Sequence, residues 1–198
     1  MIAANVLVSL VGFRALRGDG AGSAEEFLFI PAQIAEGRNG LGLLLSHLAH
    51  ADLAHLAFNM WALYSFAPPV IGALGSVWFL VIYAAAAIGA DLAVFSLRKG
   101  DPSYRCLGAS GSVFGVMAAA VVLDPGISVV MLFVPVPLPG PVFMLGYAAV
   151  SMFLLSRTRR YGVCHEAHLG GAVFGLTATA LLSPSGLDPL VSWAAQWF

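Results

Sequence analysis

The chain has 198 residues, 60% hydrophobic and 10% charged, with a mean hydropathy of +0.89 and a formal net charge of −1. A soluble domain carries about 25% charged residues, so there is too little polar surface here to coat a globule. The lack of any basic tract argues against nucleic acid as a partner, and two cysteines, Cys106 and Cys164, are too few for a disulfide framework and lack metal-site spacing.

Asp, Glu, Lys and Arg are absent from 53–90, 106–123, 125–156 and 167–187. Each run is near or above the roughly 20 apolar residues a helix needs to cross the hydrocarbon core, which predicts a polytopic membrane protein. The first span covers Ile2 to Leu16; it lacks the basic start of a secretory signal and reads as a membrane helix. A loop containing "RGDGAGSAEE" and "AEGRNG" follows, long and polar enough to hold structure of its own. The second span runs from about Leu44 to Phe66, where Pro68-Pro69 is expected to end it. The third runs from about Ser76 to Leu97 and stops at "RKGDPSYR". The fourth starts near Ala109 and ends before Asp124.

Between Val134 and Pro141, "VPVPLPGP" places a proline at every second position, which predicts an extended connector. The fifth span covers about Val142 to Leu155, closed by "SRTRRYG"; the sixth begins near Glu166 and ends at Ser183-Pro184. No linker divides the chain, so the expectation is one domain over 1–198, an all-α bundle of six membrane helices. All nine Lys and Arg fall in the loops after spans one, three and five, counting Arg14 with the first loop. The positive-inside tendency would put those loops in the cytoplasm.

Ionisable and polar groups inside a membrane are costly and mark function by default. The second span holds "SHLAHADLAHLAFNM". Four-residue spacing sets His55 and Asn59 on one helical face, while His50 lies about 140° round from His55 and bonds elsewhere. His47 and His50 otherwise serve only to satisfy loop backbone. The sixth span opens "CHEAHLGGAVFG", with Gly171, Ala172 and Gly175 on the face of His168. The fourth begins "GASGSVFG", with Gly111 and Gly115 at the same spacing. Small faces let two helices approach closely, so Ser110 at the head of one could reach His168 at the head of the other. Imidazole at that distance takes the hydroxyl proton and makes serine a nucleophile. A helix N-terminus adds free N–H groups for an oxyanion.

"HADLAHLAFN", "GASG" and "AHLGG", in that order on spans two, four and six, resemble the rhomboid intramembrane serine proteases over nearly the whole chain. The resemblance implies a dyad without a third acid, Ser110 as nucleophile and His168 as general base. It implies an oxyanion hole from His55, Asn59 and the N–H of Ser110, and supporting roles for His50, Gly108, Gly111, Phe114 and Gly171. The implied reaction is hydrolysis of a peptide bond within or near a transmembrane helix of another membrane protein, in the bilayer, with neither cofactor nor metal. Two departures stand out. The first loop has no tryptophan beside Arg38, where many rhomboids carry a Trp-Arg pair. Phe114 also stands where tyrosine is frequent, able to stack on the histidine but not to hydrogen-bond.

The resemblance puts the active-site face outside the cytoplasm, in the inner or plasma membrane if the cell is bacterial, against the Lys and Arg count. The principal alternative is a non-catalytic rhomboid-like protein that binds membrane helices; a metal site on His47, His50, His55 and His168 lacks "HExxH", and a small transporter leaves the clustered polar groups unexplained. Ser112 and His165 read as bystanders, His165 as a loop histidine nearer water. Glu166 suits a helix-dipole partner rather than a triad acid, and Asp91 reaches towards Arg98 and Lys99. Cys106 and Cys164 each precede a dyad residue by four, so a touching dyad makes them neighbours, either bonded or as two free thiols.

Overall fold

The computed structural model describes residues 1–19, 22–131, 134–155 and 163–197; the "SRTRRYG" loop at 156–162 lies outside them. Helix α1 spans Ile2–Leu16, and the first loop folds into a 3₁₀ turn at Ala24–Phe27 and short helices α2 (Pro31–Ala35) and α3 (Gly40–Leu45). Then come α4 (Leu53–Leu74), α5 (Ser76–Arg98) and α6 (Ser110–Leu123). Strands β1 (Ser128–Met131) and β2 (Val134–Pro139) precede α7 (Gly140–Leu155), α8 (His165–Leu182) and α9 (Asp188–Ala194). The six segments expected to span the membrane are helical as α1, α4, α5, α6, α7 and α8. Among the described residues, α5 alone is both long and apolar enough to qualify by itself; α1, α6 and α7 are shorter apolar helices.

Helix α6 forms the centre. From Gly111 to Val122 every residue but Phe114 is buried, which explains why its sequence shows no polar face: it has none turned to a headgroup or to water. It packs between α5 and α8, with its glycines against the Ala86 and Ala90 methyl groups of α5 and against the backbone of α8. A Cβ on Gly175 would stand 2.6 Å from the carbonyl carbon of Gly115, and one on Gly115 2.8 Å from the carbonyl oxygen of Gly171. No side chain fits between helices at that separation, so glycine is required for the approach.

Two expectations about the second span are corrected. It does not begin near Leu44: residues 46–52 form an irregular segment, and α4 starts at Leu53, where the Asp52 carboxylate caps it by accepting the His55 N–H at 2.8 Å. Such a cap contributes about 1 kcal/mol. Nor does the proline pair end it. The helix continues through Pro68 and Pro69 to Leu74, because Val70 is fully buried and Leu74 packs on the core. That packing outweighs the backbone bonds lost at two prolines.

The proline-alternating connector is extended as expected, and it is also paired. β2 runs antiparallel to β1, with Val129 opposite Leu138 and Met131 opposite Val134. In a strand, alternate N–H groups point the same way, so Pro135, Pro137 and Pro139 all lack donors on one edge while the other edge stays competent. The sequence therefore makes an edge strand that can pair on one side only. Helix α9 has no counterpart in the sequence reading.

Candidate active site

The segment from Cys106 to Ala109 is held from three sides before α6 begins. Cys106 exchanges two backbone hydrogen bonds with Phe29, at 2.8 and 3.0 Å. The Gly108 N–H donates to the Ser46 carbonyl at 2.8 Å. The Ala109 N–H donates to His50 Nε2 at 3.4 Å. Gly108 has φ +126°, and a Cβ there would stand 2.7 Å from His55 Cε1, so both conformation and space demand glycine.

His50 is fully buried and its bonds fix one tautomer. Ser9 Oγ donates to the Leu48 carbonyl at 3.0 Å and lies 2.9 Å from His50 Nδ1, so Nδ1–H donates to Ser9 and Nε2 is free to accept from Ala109. Burial, reinforced by neighbouring His55, pushes its pKa down to about 4. His50 thus ties α1 and the 46–52 segment to the head of α6, a structural role as expected. His47, by contrast, does not serve loop backbone: its Nε2 lies 2.9 Å from the Asp91 carboxylate, and Asp91 turns to it rather than to Arg98 and Lys99.

Ser110 is the first residue of α6, and its Oγ lies 2.6 Å from His168 Nε2. Ala109 provides no side-chain cap, so the N–H groups of the first turn have no intrahelical acceptor. The Phe114 ring stacks on His168 with centroids 4.5 Å apart. His55 and Asn59 both face the same cavity of about 1160 Å³, along with Ser110, Phe114 and His168. His55 Nδ1 accepts from the Ala51 N–H at 3.4 Å, leaving Nε2–H as a donor beside Gly108. Asn59 Nδ2 donates to the His55 carbonyl at 2.9 Å, which uses one of its two protons.

Gly171 lies against Gly111: a Cβ on it would stand 2.6 Å from the Gly111 carbonyl carbon. Ser112 is buried and does not line the cavity that holds Ser110 and His168. Glu166 is buried in the first turn of α8, where Arg98 pairs with it and the Tyr104 hydroxyl donates to it at 3.1 Å. It is an ion-pair partner more than a dipole partner. Cys106 and Cys164 are neighbours as expected, and both are free thiols. The hydrogen bond between them pushes the Cys106 thiol up and holds Cys164 below the usual thiol range. Among the described residues no cluster of three or more His, Cys, Asp or Glu is placed to hold a metal.

Two features were not legible in the sequence. His165 is no loop histidine; it is the buried first residue of α8, with Nδ1 3.2 Å from Ser151 Oγ. Tyr147 on α7, unassigned from sequence, bonds the second ring nitrogen of His168 and stacks on Phe114 at 4.2 Å. The signal for it was a tyrosine and a serine four residues apart in an otherwise apolar span.

Residues 38–185 match the family model described as the Rhomboid domain. The chain is similar to the mitochondrial presenilin-associated rhomboid-like protein of Homo sapiens, 30% identical over 142 residues, 68% of this chain and 36% of that protein. It is 31% identical over 142 residues to mitochondrial Rhomboid protein 1 of Saccharomyces cerevisiae, 69% of this chain and 40% of that one. It is also 31% identical over 156 residues to mitochondrial RHOMBOID-like protein 12 of Arabidopsis thaliana, 70% and 45%. This chain spans less than half the length of each of these relatives. No solved structure matches it.

Proposed function

The chain belongs to the rhomboid family of multi-pass integral membrane proteins, and from that premise we propose that it is an intramembrane serine endopeptidase with six membrane helices. Its substrates are transmembrane segments of other membrane proteins, cut at a bond the local helix does not protect. The observation that carries this reading is the 2.6 Å hydrogen bond between Ser110 and His168 at an uncapped helix N-terminus.

His168 Nε2 takes the Ser110 proton as Oγ attacks the scissile carbonyl, then returns it to the leaving amine. The carbonyl oxygen becomes an oxyanion held by the Ser110 N–H, by His55 Nε2–H and by the remaining Asn59 amide proton. Water then hydrolyses the acyl-enzyme with His168 again as base. The cavity mouth opens on the extracytoplasmic side in this reading, against the Lys and Arg distribution.

Purified protein in liposomes with a panel of single-span substrates tests the proposal. Ser110→Ala and His168→Ala are expected to abolish cleavage while the protein stays folded in detergent. Retention of most activity by Ser110→Ala would overturn the mechanism.

A further inference from the structure

Resting on the dyad proposed above, we infer that Tyr147, Ser151 and His165 form a hydrogen-bonded relay that positions His168 and fixes its tautomer, in the place where a carboxylate would serve in a triad. Ser110 Oγ lies 2.6 Å from His168 Nε2. For Nε2 to accept the serine proton, the ring must carry its own proton on Nδ1. That nitrogen faces the Tyr147 hydroxyl and hydrogen-bonds to it, so Nδ1–H donates and Tyr147 Oη accepts. The tyrosine proton is then free for Ser151, which follows Tyr147 by four residues, one turn along α7. Ser151 is fully buried and its Oγ lies 3.2 Å from His165 Nδ1, so Ser151 accepts from Tyr147 and donates to His165. Every hydroxyl in this chain gives one bond and takes one, all in the same sense.

Direction matters chemically. When His168 gains the serine proton, positive charge appears on the ring, and a chain of aligned neutral dipoles ending on an imidazole lone pair polarises to meet it. In the triad template, losing the group that holds the second ring nitrogen leaves the wrong tautomer and a slow enzyme. Phe114 and Tyr147 restrain different motions of the imidazole. Phe114 stacks on the ring at 4.5 Å and fixes its plane, and Tyr147 stacks on Phe114 while its hydroxyl fixes the ring's rotation. Tyr147 and Ser151 sit on α7, whose flanks carry exposed Leu145, Val150, Met152 and Phe153. The relay therefore depends on α7 being seated against α8.

Tyr147→Phe keeps the stacked ring and deletes the hydroxyl. We expect kcat to fall about ten- to a hundredfold, the range for losing one hydrogen bond to a developing charge, with KM unchanged. Nitrogen-15 NMR of imidazole-labelled protein in micelles reads the tautomer without any substrate. The native His168 should be protonated on Nδ1 and become a mixture of tautomers in Tyr147→Phe, with a smaller change in the same direction in Ser151→Ala. An unchanged tautomer and unchanged kcat in Tyr147→Phe would overturn the relay. A rise in KM with unchanged kcat would overturn it too, by making Tyr147 a substrate contact. If the native protein cleaves nothing, the protease reading falls, and the tautomer spectra alone decide the relay.

Discussion

Gly171→Ala adds one methyl group, far smaller than most cavity or charge mutations, yet it should abolish the proposed cleavage. The new Cβ would stand 2.6 Å from the Gly111 carbonyl carbon and 3.0 Å from its Cα. Carbon atoms rest about 3.5–4.0 Å apart, so the two backbones must part by about 1 Å; neither side has a rotamer to turn aside. Gly111 adjoins Ser110 and Gly171 lies one turn from His168, so the separation acts on the dyad. The 2.6 Å bond between Ser110 and His168 then lengthens past the roughly 3.2 Å limit for proton transfer. A misplacement of about 1 Å costs on the order of 10²-fold in rate. Helix propensity pulls the other way, since alanine favours a helix over glycine by about 0.5–1 kcal/mol. The assay is cleavage of a single-span substrate in liposomes, with thermal unfolding in detergent alongside. Gly146→Ala on α7 is the control, because a Cβ there meets nothing within 4 Å, and it should keep full activity. Native turnover and unchanged melting in Gly171→Ala would refute the close-packed contact.

Asn59→Ala and His55→Ala should each lower kcat by about 10²-fold or less while KM moves little, since oxyanion donors act on charge that develops in the transition state. Weakened binding with native kcat would make them positioning groups for substrate. Acid should loosen the head of α6: His50 falls from an ordinary pKa of 6.5 to about 4 in the fold, so the unfolded chain takes up a proton first as pH drops. The stability it confers is complete above pH 6.5 and is lost between 6.5 and 4, up to about 3 kcal/mol at roughly 1.4 kcal/mol per unit. His50→Gln should flatten that part of the stability profile, and a native-like slope in the variant would assign the acid sensitivity elsewhere.

Much of this was legible in the sequence because charge is so unevenly placed. The charge-free runs marked the helices, and α1 and α5 begin where hydropathy put them. Ser110, His168, His55 and Asn59 were readable from polar groups at matching depth in three apolar segments, and the facing glycines from their spacing. What failed was whatever depends on partners distant in sequence. Pro68-Pro69 is a stop signal locally and is overridden by the burial of Val70. The break at 46–52, "SHLAHAD", becomes a loop because His47 and His50 are drawn to Asp91, Ser9 and Ala109. His165 looked water-exposed from its place beside a charged loop, and only the position of α7 buries it.

Among the described residues no carboxylate bonds the second ring nitrogen of His168, which Tyr147 occupies, and this has a physical basis. An ionised carboxylate beside His168 would need its own compensation in a medium of low dielectric, at a cost of several kcal/mol. The nearest candidate, Glu166, shows what that compensation looks like: Arg98 pairs with it and Tyr104 donates to it. Those partners engage both carboxylate oxygens at the first turn of α8. A phenol needs no counter-charge. Tyr147 accepts from His168, passes its own proton bond to a buried serine, and adds no net charge to the interior. Arg98 and Glu166 are paired at helix ends, and His168, the proposed general base, is held by the neutral Tyr147 and Phe114. In the proposed mechanism, the charge that appears on His168 then meets dipoles already in place, without a resident ion to neutralise it beforehand.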